Sequence, residues 1–578
     1  MKIALAQQNY HIGNFEENTN KIIEAIEWAK KEGADLIVFS ELCVCGYSPR
    51  DFLEINDFVQ HCYDAVDKIK LHADTIGVLI GSPVRNPAIK GKDLFNAAIL
   101  LYEKEIKAEI HKTLLPNYDV FDEYRYFEPA DSWNIIEFKG KKLAVTICED
   151  MWNMGDNPMY RITPMEKLMP FAPDVMINLS ASPYNYAQDI VRNSMVKAHT
   201  QKYGLPMLYC NAVGSQTEIV FDGGSLVYDI NGNLVKEMKY FEEDRAIFDL
   251  EEISTIERST GEKQADAVYF YSSRDVGQGE DTIAYLCNEK NISEIYKALI
   301  LGIRDYFSKM GFTKAILGAS GGIDSAVTQA LAVAALGKEN VLSVLMPSPY
   351  SSDHSVNDAI ELSKNLGNEY HVIPIEKIYD GFLETLKPVF KELPFSVAEE
   401  NIQSRTRGNV LMAMANKFAR PDDPVGRGYI LLNTSNKSEL ATGYGTLYGD
   451  MAGGISVLGD VYKVQVFALA KYINRDKEII PENCISKPPS AELRPNQKDS
   501  DSLPAYEILD DVLFEYIELR ESPKNIIAKG FDTALVQRVL KLVNTNEYKR
   551  NQFCPIIRVS YKAFGVGRRL PIVAKYLS

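Results

Sequence analysis

The chain has 578 residues, 46% hydrophobic and 25% charged, an ordinary globular composition at a length too great for one hydrophobic core. Its 63 basic and 79 acidic residues leave a net charge of -16, which disfavours nonspecific attachment to nucleic acid and favours small substrates. No apolar run approaches the roughly 20 residues that span a bilayer, so no membrane association is expected.

From the N-terminus, MKIALAQQNY reads as an immediate strand rather than an export signal. The eight cysteines form neither a dense disulfide framework nor paired CxxC knuckles, so a reducing, cytoplasmic location is expected. Cys43 and Cys45 should point to opposite faces of a strand, where they cannot hold one metal together. Asn14 and Glu17 predict a capping box for a helix whose Ile22, Ile23, Ile26 and Ala29 share a face that packs on a sheet. The apolar β-branched runs KIALAQQN, DLIVFSEL, IGVLIGSP, LFNAAILLY, LAVTICED, VMINLSAS, LPMLYCNAVG and GGSLVYDI alternate with helical patterns, a layered α/β signature. The polar, irregular text of 251–284 predicts a linker between domains at 1–250 and 285–578. Beyond it come a helix, strand KAILG, a glycine-rich turn, helix AVTQALAVAAL and strands VLSVLMP and YHVIPI, a βαβ series.

Cys148 ends the run LAVTIC, Glu41 closes LIVFSE and Lys112 follows KAEIHK, so three reactive groups terminate three strands, where open α/β sheets commonly bind ligands. Singly, each has an ordinary reading as inert core or solvated charge. Together they predict a convergent site. A thiol titrates near ~8.5 and needs a cation or a base to become nucleophilic, and Lys112 and Glu41 supply both. With FSELCVCGY, HKTLLPNY and ICEDMW, the trio resembles the carbon-nitrogen hydrolase (nitrilase) superfamily from Lys2 to about Ile247. The resemblance implies an αββα sandwich, with Glu123 in FDEYRYF as the second acidic residue of the site. It also implies a glutamine pocket lined by Tyr47, Tyr118 and Trp152, with Ser182 on the substrate's α-substituents.

Residues 318–326 read GASGGIDSA between a strand and an alanine-rich helix, a turn that offers backbone N–H groups and a helix N-terminus to an anion. Gly318, Gly321, Gly322, Ile323 and Asp324 form it with the hydroxyls of Ser320 and Ser325. No G-x-x-x-x-G-K-[ST] or G-x-G-x-x-G occurs, so neither a Walker loop nor a dinucleotide fingerprint applies. Gly318, Ser320 and Gly322 also satisfy G-x-S-x-G, which would make Ser320 a nucleophile, yet only His354 and His371 follow it and neither sits late behind an acid. SGGIDS instead resembles the PP-loop of the ATP pyrophosphatases. Asp324 and Glu439 are candidates to hold Mg²⁺ against ATP phosphates.

NIQSRTRGNVLMAMAN, NTSNKSELATGYGTLYGD, KVQVFALAKY and KPPSAELRPNQ narrow the resemblance to the NAD synthetases, which share the doubly wound parallel sheet of the PP-loop enzymes. By that resemblance Arg407, Thr434, Lys463 and Ser490 contact ATP, and Asn401 and Asp450 contact the deamidated dinucleotide. The basic end FGVGRRLPI would close over the site. The implied reaction takes nicotinic acid adenine dinucleotide, ATP and glutamine to NAD, in a homo-oligomer. A PP-loop amidotransferase with another carboxylate acceptor is the neighbouring reading.

Overall fold

The computed structural model describes residues 1–88, 90–154, 159–254, 281–418, 428–495 and 497–577. The chain divides into two compact units, Met1–Val276 and Gly277–Ser578.

In the first unit two six-stranded sheets carry the core. Strand Lys2–Gln7 pairs antiparallel with Asp244–Asp249 and parallel with Leu36–Val38, after which Gly77–Arg85, Leu94–Tyr102 and Glu105–His111 complete the first sheet. The second is built on the parallel strands Lys141–Ile147, Val175–Ser180 and Met207–Asn211. Period-two alternation gives the central strands, such as Lys2–Gln7 and Val175–Ser180, two buried faces, while the edge strands Glu105–His111 and Leu234–Glu237 are largely exposed. Ile3 and Leu5 join Val145, Ile177 and Leu208 between the sheets, while Ala4 and Ala6 face Ile22, Ala25 and Ile26 of helix Phe15–Lys31. Helix Gln188–Tyr203 covers the outer face of the second sheet through Met195 and Val196. The result is an αββα sandwich.

Asn14 caps the helix Phe15–Lys31, accepting from the Glu17 backbone N–H at 3.3 Å and donating its amide to the Glu17 carboxylate at 2.7 Å. Cys43 and Cys45 correct the sequence reading, because they are not on a strand. The strand stops at Val38, and both thiols are buried in the turn that follows. That turn lies so close to Gly81 that a Cβ there would sit 2.3 Å from the Leu42 nitrogen, and no ladder can continue through it.

The second unit holds a five-stranded parallel sheet in the spatial order Glu369–Val372, Val341–Leu345, Ala315–Gly318, Ile430–Asn433, Ile455–Ser456. The first strand in the chain lies in the middle, so successive crossovers run first to one edge and then to the other. This is the doubly wound arrangement, with its switch point between Ala315–Gly318 and Ile430–Asn433. Both ends of the predicted linker are helical: Leu250–Ser254 buries Leu250 and Ile253, and Thr282–Leu286, capped by Asp281, buries Tyr285 and Leu286. Residues 255–280 of that linker lie outside the described residues. Among the described residues no helix is long and apolar enough to cross a membrane.

Candidate functional site

In the sandwich, Lys112 leaves strand Glu105–His111 with its side chain fully buried. Its Nζ donates to Glu41 Oε1 at 2.7 Å and to both Glu123 oxygens at 2.8 Å. Glu123 also accepts from the Tyr47 hydroxyl at 2.7 Å, so this tyrosine, expected in the substrate pocket, has its hydroxyl committed to the second acid. Burial lowers the proton affinity of Lys112, and the charges of Glu123 and Glu41 more than reverse that, holding it well above the usual lysine range. Glu123 is pushed up to about 7 by burial, against the pull of Lys112.

Cys148 follows the parallel strand Lys141–Ile147 and opens a short 3₁₀ turn with φ at +40°. For a residue with a Cβ this left-handed conformation costs about 1 kcal/mol or more, and surrounding bonds must hold it. The Asp150 carboxylate does so by accepting the backbone N–H groups of Thr113, Leu114 and Ile147 at 2.8–3.0 Å. It thereby ties the Cys148 turn to the segment after Lys112. The thiol is held well above its ordinary value by burial and by the charge of Glu41, with Lys112 acting in the opposite direction. Of the two aids expected for the thiol, a cation and a base, the cation is shared between two carboxylates, so burial and Glu41 outweigh it and the proton-accepting part falls to the carboxylate.

Beside the nucleophile, Glu149 is buried and accepts the hydroxyls of Tyr118 at 2.9 Å and Tyr160 at 3.0 Å. Burial raises its proton affinity, while Lys112 and the two phenols oppose the rise. Trp152 packs half-buried beside Met151 and Met154. Ser182 donates its backbone N–H to Asn211 at 2.9 Å.

Under the Cys148 turn, His199 is fully buried, with its Nε2 2.7 Å from the Met151 carbonyl. Burial lowers it to about 4, so it is neutral and donates to that carbonyl. The unfolded chain takes up a proton near ~6.5 that the folded chain refuses. Folding stability is therefore full above that value and falls by about 3 kcal/mol as pH drops toward 4. Thermal unfolding of the full chain between pH 7 and 4.5 should lose this slope in His199→Gln; an unchanged slope would refute the assignment.

In the second unit, a cleft of about 300 Å³ opens at the sheet's switch point. Gly318, Ser320, Gly322, Ile323, Asp324 and Ser325 line it from the loop. Arg407, Thr434, Glu439, Asp450, Lys463 and Ser490 face it from other elements. Gly321 and Asn401 are not on its wall: Gly321 has φ +77°, and a Cβ there would lie 2.0 Å from the Ser355 carbonyl. Asn401 stands behind Asp450, since both bind Thr446. Within the loop the Ser320 hydroxyl meets Ser325 Oγ at 3.1 Å and the Gly322 N–H at 3.2 Å. Neither His354 nor His371 lines the cleft, so the hydrolase-elbow reading of Ser320 lacks its base.

Lys463 Nζ bonds Asp324 Oδ2 at 2.5 Å and lies 3.8 Å from Glu439 Oε1. Asn436 positions both acids, donating its amide to Asp324 at 2.9 Å while its carbonyl oxygen caps the Glu439 backbone at 3.0 Å. Burial and the neighbouring Asp324 push Glu439 up to about 8. Two facing carboxylates at a cleft, one reluctant to ionise, fit a divalent cation; among the described residues no larger cluster of metal-binding side chains exists. The basic end does not close over this cleft, a further correction: Arg568 pairs with Glu547 at 3.3 Å and lies over Phe564, so its charge is already satisfied.

The carbon-nitrogen hydrolase model matches residues 2–257 and the NAD synthase model residues 295–553. The glutamine-dependent NAD(+) synthetase of Synechocystis sp. is 42% identical, the alignment covering 99% of each chain. That of Thermotoga maritima is 40% identical over 100% of this chain and 99% of its own. The chain belongs to the glutamine-dependent NAD(+) synthetase family. A solved synthetase from Acinetobacter baumannii, in complex with adenosine diphosphate, superposes with a TM-score of 0.73 at 37% identity, covering 99% of this chain and 98% of its own. One from Cytophaga hutchinsonii shares the fold, with a TM-score of 0.80 at 19% identity.

In this member of the synthetase family, Glu149, which follows Cys148 at once, carries no assigned role in the sequence reading, and neither do Tyr160, Asn96, Asn436 and Lys487. Lys487 lines the cleft beside Ser355, which its Nζ reaches at 3.1 Å. Glu149 had one available signal, an acidic residue directly after a strand-end cysteine. Tyr160 reaches Glu149 across 11 residues, and Asn96, Asn436 and Lys487 act through partners 55, 112 and 132 residues away.

Proposed function

We propose that the chain makes NAD from nicotinic acid adenine dinucleotide, ATP and glutamine, one reaction in each unit. The observation that carries this reading is one chain with two strand-end sites: the Glu41–Lys112–Glu123 cluster beside Cys148, and the glycine-serine loop beside Asp324, Glu439 and Lys463.

In the first unit Glu41 takes the Cys148 proton as sulfur attacks the amide carbon of glutamine. Lys112 faces the oxyanion that forms. Glu41 then passes the proton to the departing nitrogen, releasing ammonia and leaving a thioester. Water, deprotonated by Glu41, attacks the thioester, and glutamate leaves as the thiol recovers its proton. The buried Glu149 carboxylate, with Tyr118 and Tyr160, supplies the negative charge that the substrate's α-ammonium needs. Tyr118 is 38% exposed, which suits a residue at the entrance.

In the second unit the substrate carboxylate attacks the α-phosphorus of ATP, pyrophosphate leaves, and the acyl adenylate is then opened by ammonia with loss of AMP. The loop N–H groups, Ser320 and Ser325 hold the phosphates, with Lys463 and Arg407 adding positive charge. Asp324 and Glu439 would hold Mg²⁺, which typically takes one or two carboxylates with phosphate oxygens and offsets charge on the leaving pyrophosphate. Thr434 and Ser490 line the ATP side, and Asp450, with Asn401 behind it, the dinucleotide side. All eight cysteines are free thiols, which suits a reducing cytoplasm.

The test is a product assay on the purified full chain with Mg²⁺, ATP, nicotinic acid adenine dinucleotide and either glutamine or ammonia. NAD, AMP and pyrophosphate are expected in equal amounts from both nitrogen sources. ADP and phosphate in place of AMP and pyrophosphate would sink the proposal.

A further inference from the structure

Between the two reactive strand ends of the sandwich stands a residue with no part in the steps above. Asn96 lies on strand Leu94–Tyr102 with 1% of its surface exposed. Its backbone carbonyl accepts the Lys112 backbone N–H at 2.8 Å, and its side-chain Nδ2 donates to Glu41 Oε1 at 2.7 Å. That oxygen is also the one Lys112 Nζ bonds, while Glu41 Oε2 accepts the backbone N–H of Ala181 at 3.1 Å. Asn96 thus touches both partners of the Glu41–Lys112 pair, one through its main chain and one through its side chain.

The amide has a defined orientation, because a carboxylate offers only acceptors and the carbonyl end would repel it. Among the described residues Asn96 Oδ1 has no hydrogen-bond partner. The buried amide is aimed at the base of a nucleophilic site and adds a neutral side-chain donor that neither Lys112 nor Ala181 supplies.

We propose that Asn96 is a positioning residue for glutamine hydrolysis, fixing the Glu41 carboxylate with Oε1 on Lys112 so that Oε2, which also accepts the Ala181 N–H, takes the Cys148 proton. The groups facing Glu41 are Lys112, Glu123, Cys148, Glu149 and Tyr47. Of these only Lys112 brings positive charge, and it is shared with Glu123. The Asn96 amide is a donor that does not titrate, so its bond to Oε1 does not depend on a proton of its own. Without it Lys112 is the sole side-chain donor to Oε1, and that ammonium is also drawn to Glu123.

The inference rests on the proposed glutaminase chemistry, and two variants of the full chain test it. Asn96→Leu keeps the side-chain size and removes the donor. It should lower glutamine-dependent kcat at least about tenfold, as for loss of a hydrogen bond to a charged group, with KM for glutamine changed less than about threefold. The acid limb of its pH–rate profile should move to higher pH, and the acid limb of Cys148 alkylation by iodoacetamide should move with it. Asn96→Asp keeps the shape and donates only when protonated, so its deficit should grow as pH rises. Ammonia-dependent synthesis, the work of the other unit, should stay at the wild-type rate in both. A wild-type kcat and acid limb in either variant overturns the proposal, as does a tenfold rise in KM with kcat unchanged. The glutamine reading is judged separately, by whether the unaltered chain makes NAD from glutamine.

Discussion

Cys148→Ala should lower glutamine-dependent NAD synthesis by about 10³-fold or more while ammonia-dependent synthesis stays within about twofold of wild type. The size follows from the route: without sulfur there is no thioester, and the residual water reaction has only Lys112 and the pocket to assist it. Selectivity follows from the chain's division into two compact units, each with its own core and site. The substitution removes a single buried sulfur atom, a small loss of core volume, so the αββα unit should still fold. Measuring NAD with each nitrogen source over a range of concentrations decides the matter. Equal loss with both sources would mean that Cys148 serves structure or the second reaction, and would sink the assignment.

Asp324→Asn should behave differently, lowering NAD formation from either nitrogen source by about 10²-fold or more. Asp324 lies in the first turn of helix Ile323–Leu336, directly after the glycine-serine loop, with one oxygen on Lys463 and the other on Asn436. Asparagine keeps the shape and removes the charge. Lys463 is then left against Glu439 alone, and a metal held by the pair loses one carboxylate. Pyrophosphate release with ammonia as the nitrogen source reads the adenylation step directly. Activity within about threefold of wild type would place metal and phosphate binding elsewhere. Raising Mg²⁺ should recover part of the loss, because a weakened site can still be filled by mass action.

Much of this architecture was legible because its signals are local. Strand Lys2–Gln7 alternates between two buried faces, and Gly321 and Gly322 sit where a strand meets a helix. Glu41, Lys112 and Cys148 each follow a strand, and strand ends gather on one side of a sheet. Glu123 entered through family resemblance, and its place on Lys112 is a contact across 11 residues. What escaped is bonded across long stretches of chain: Asn96 to Glu41 over 55 residues, Ala181 to Glu41 over 140, Asn436 to Asp324 over 112. The same limit misplaced Cys43 and Cys45, since apolar text continued past the point where close approach to Gly81 turns the backbone. It also misplaced the basic end, whose Arg568 finds Glu547 and Phe564 instead of a phosphate.

By itself the sequence determined the two α/β units, the reactive residue types at the strand ends and the glycine-serine turn between strand and helix, because period, capping and turn chemistry are properties of neighbouring residues. Only the tertiary structure decided the protonation balance around Cys148. Burial and the sharing of one ammonium by two carboxylates depend on distances that no local pattern encodes.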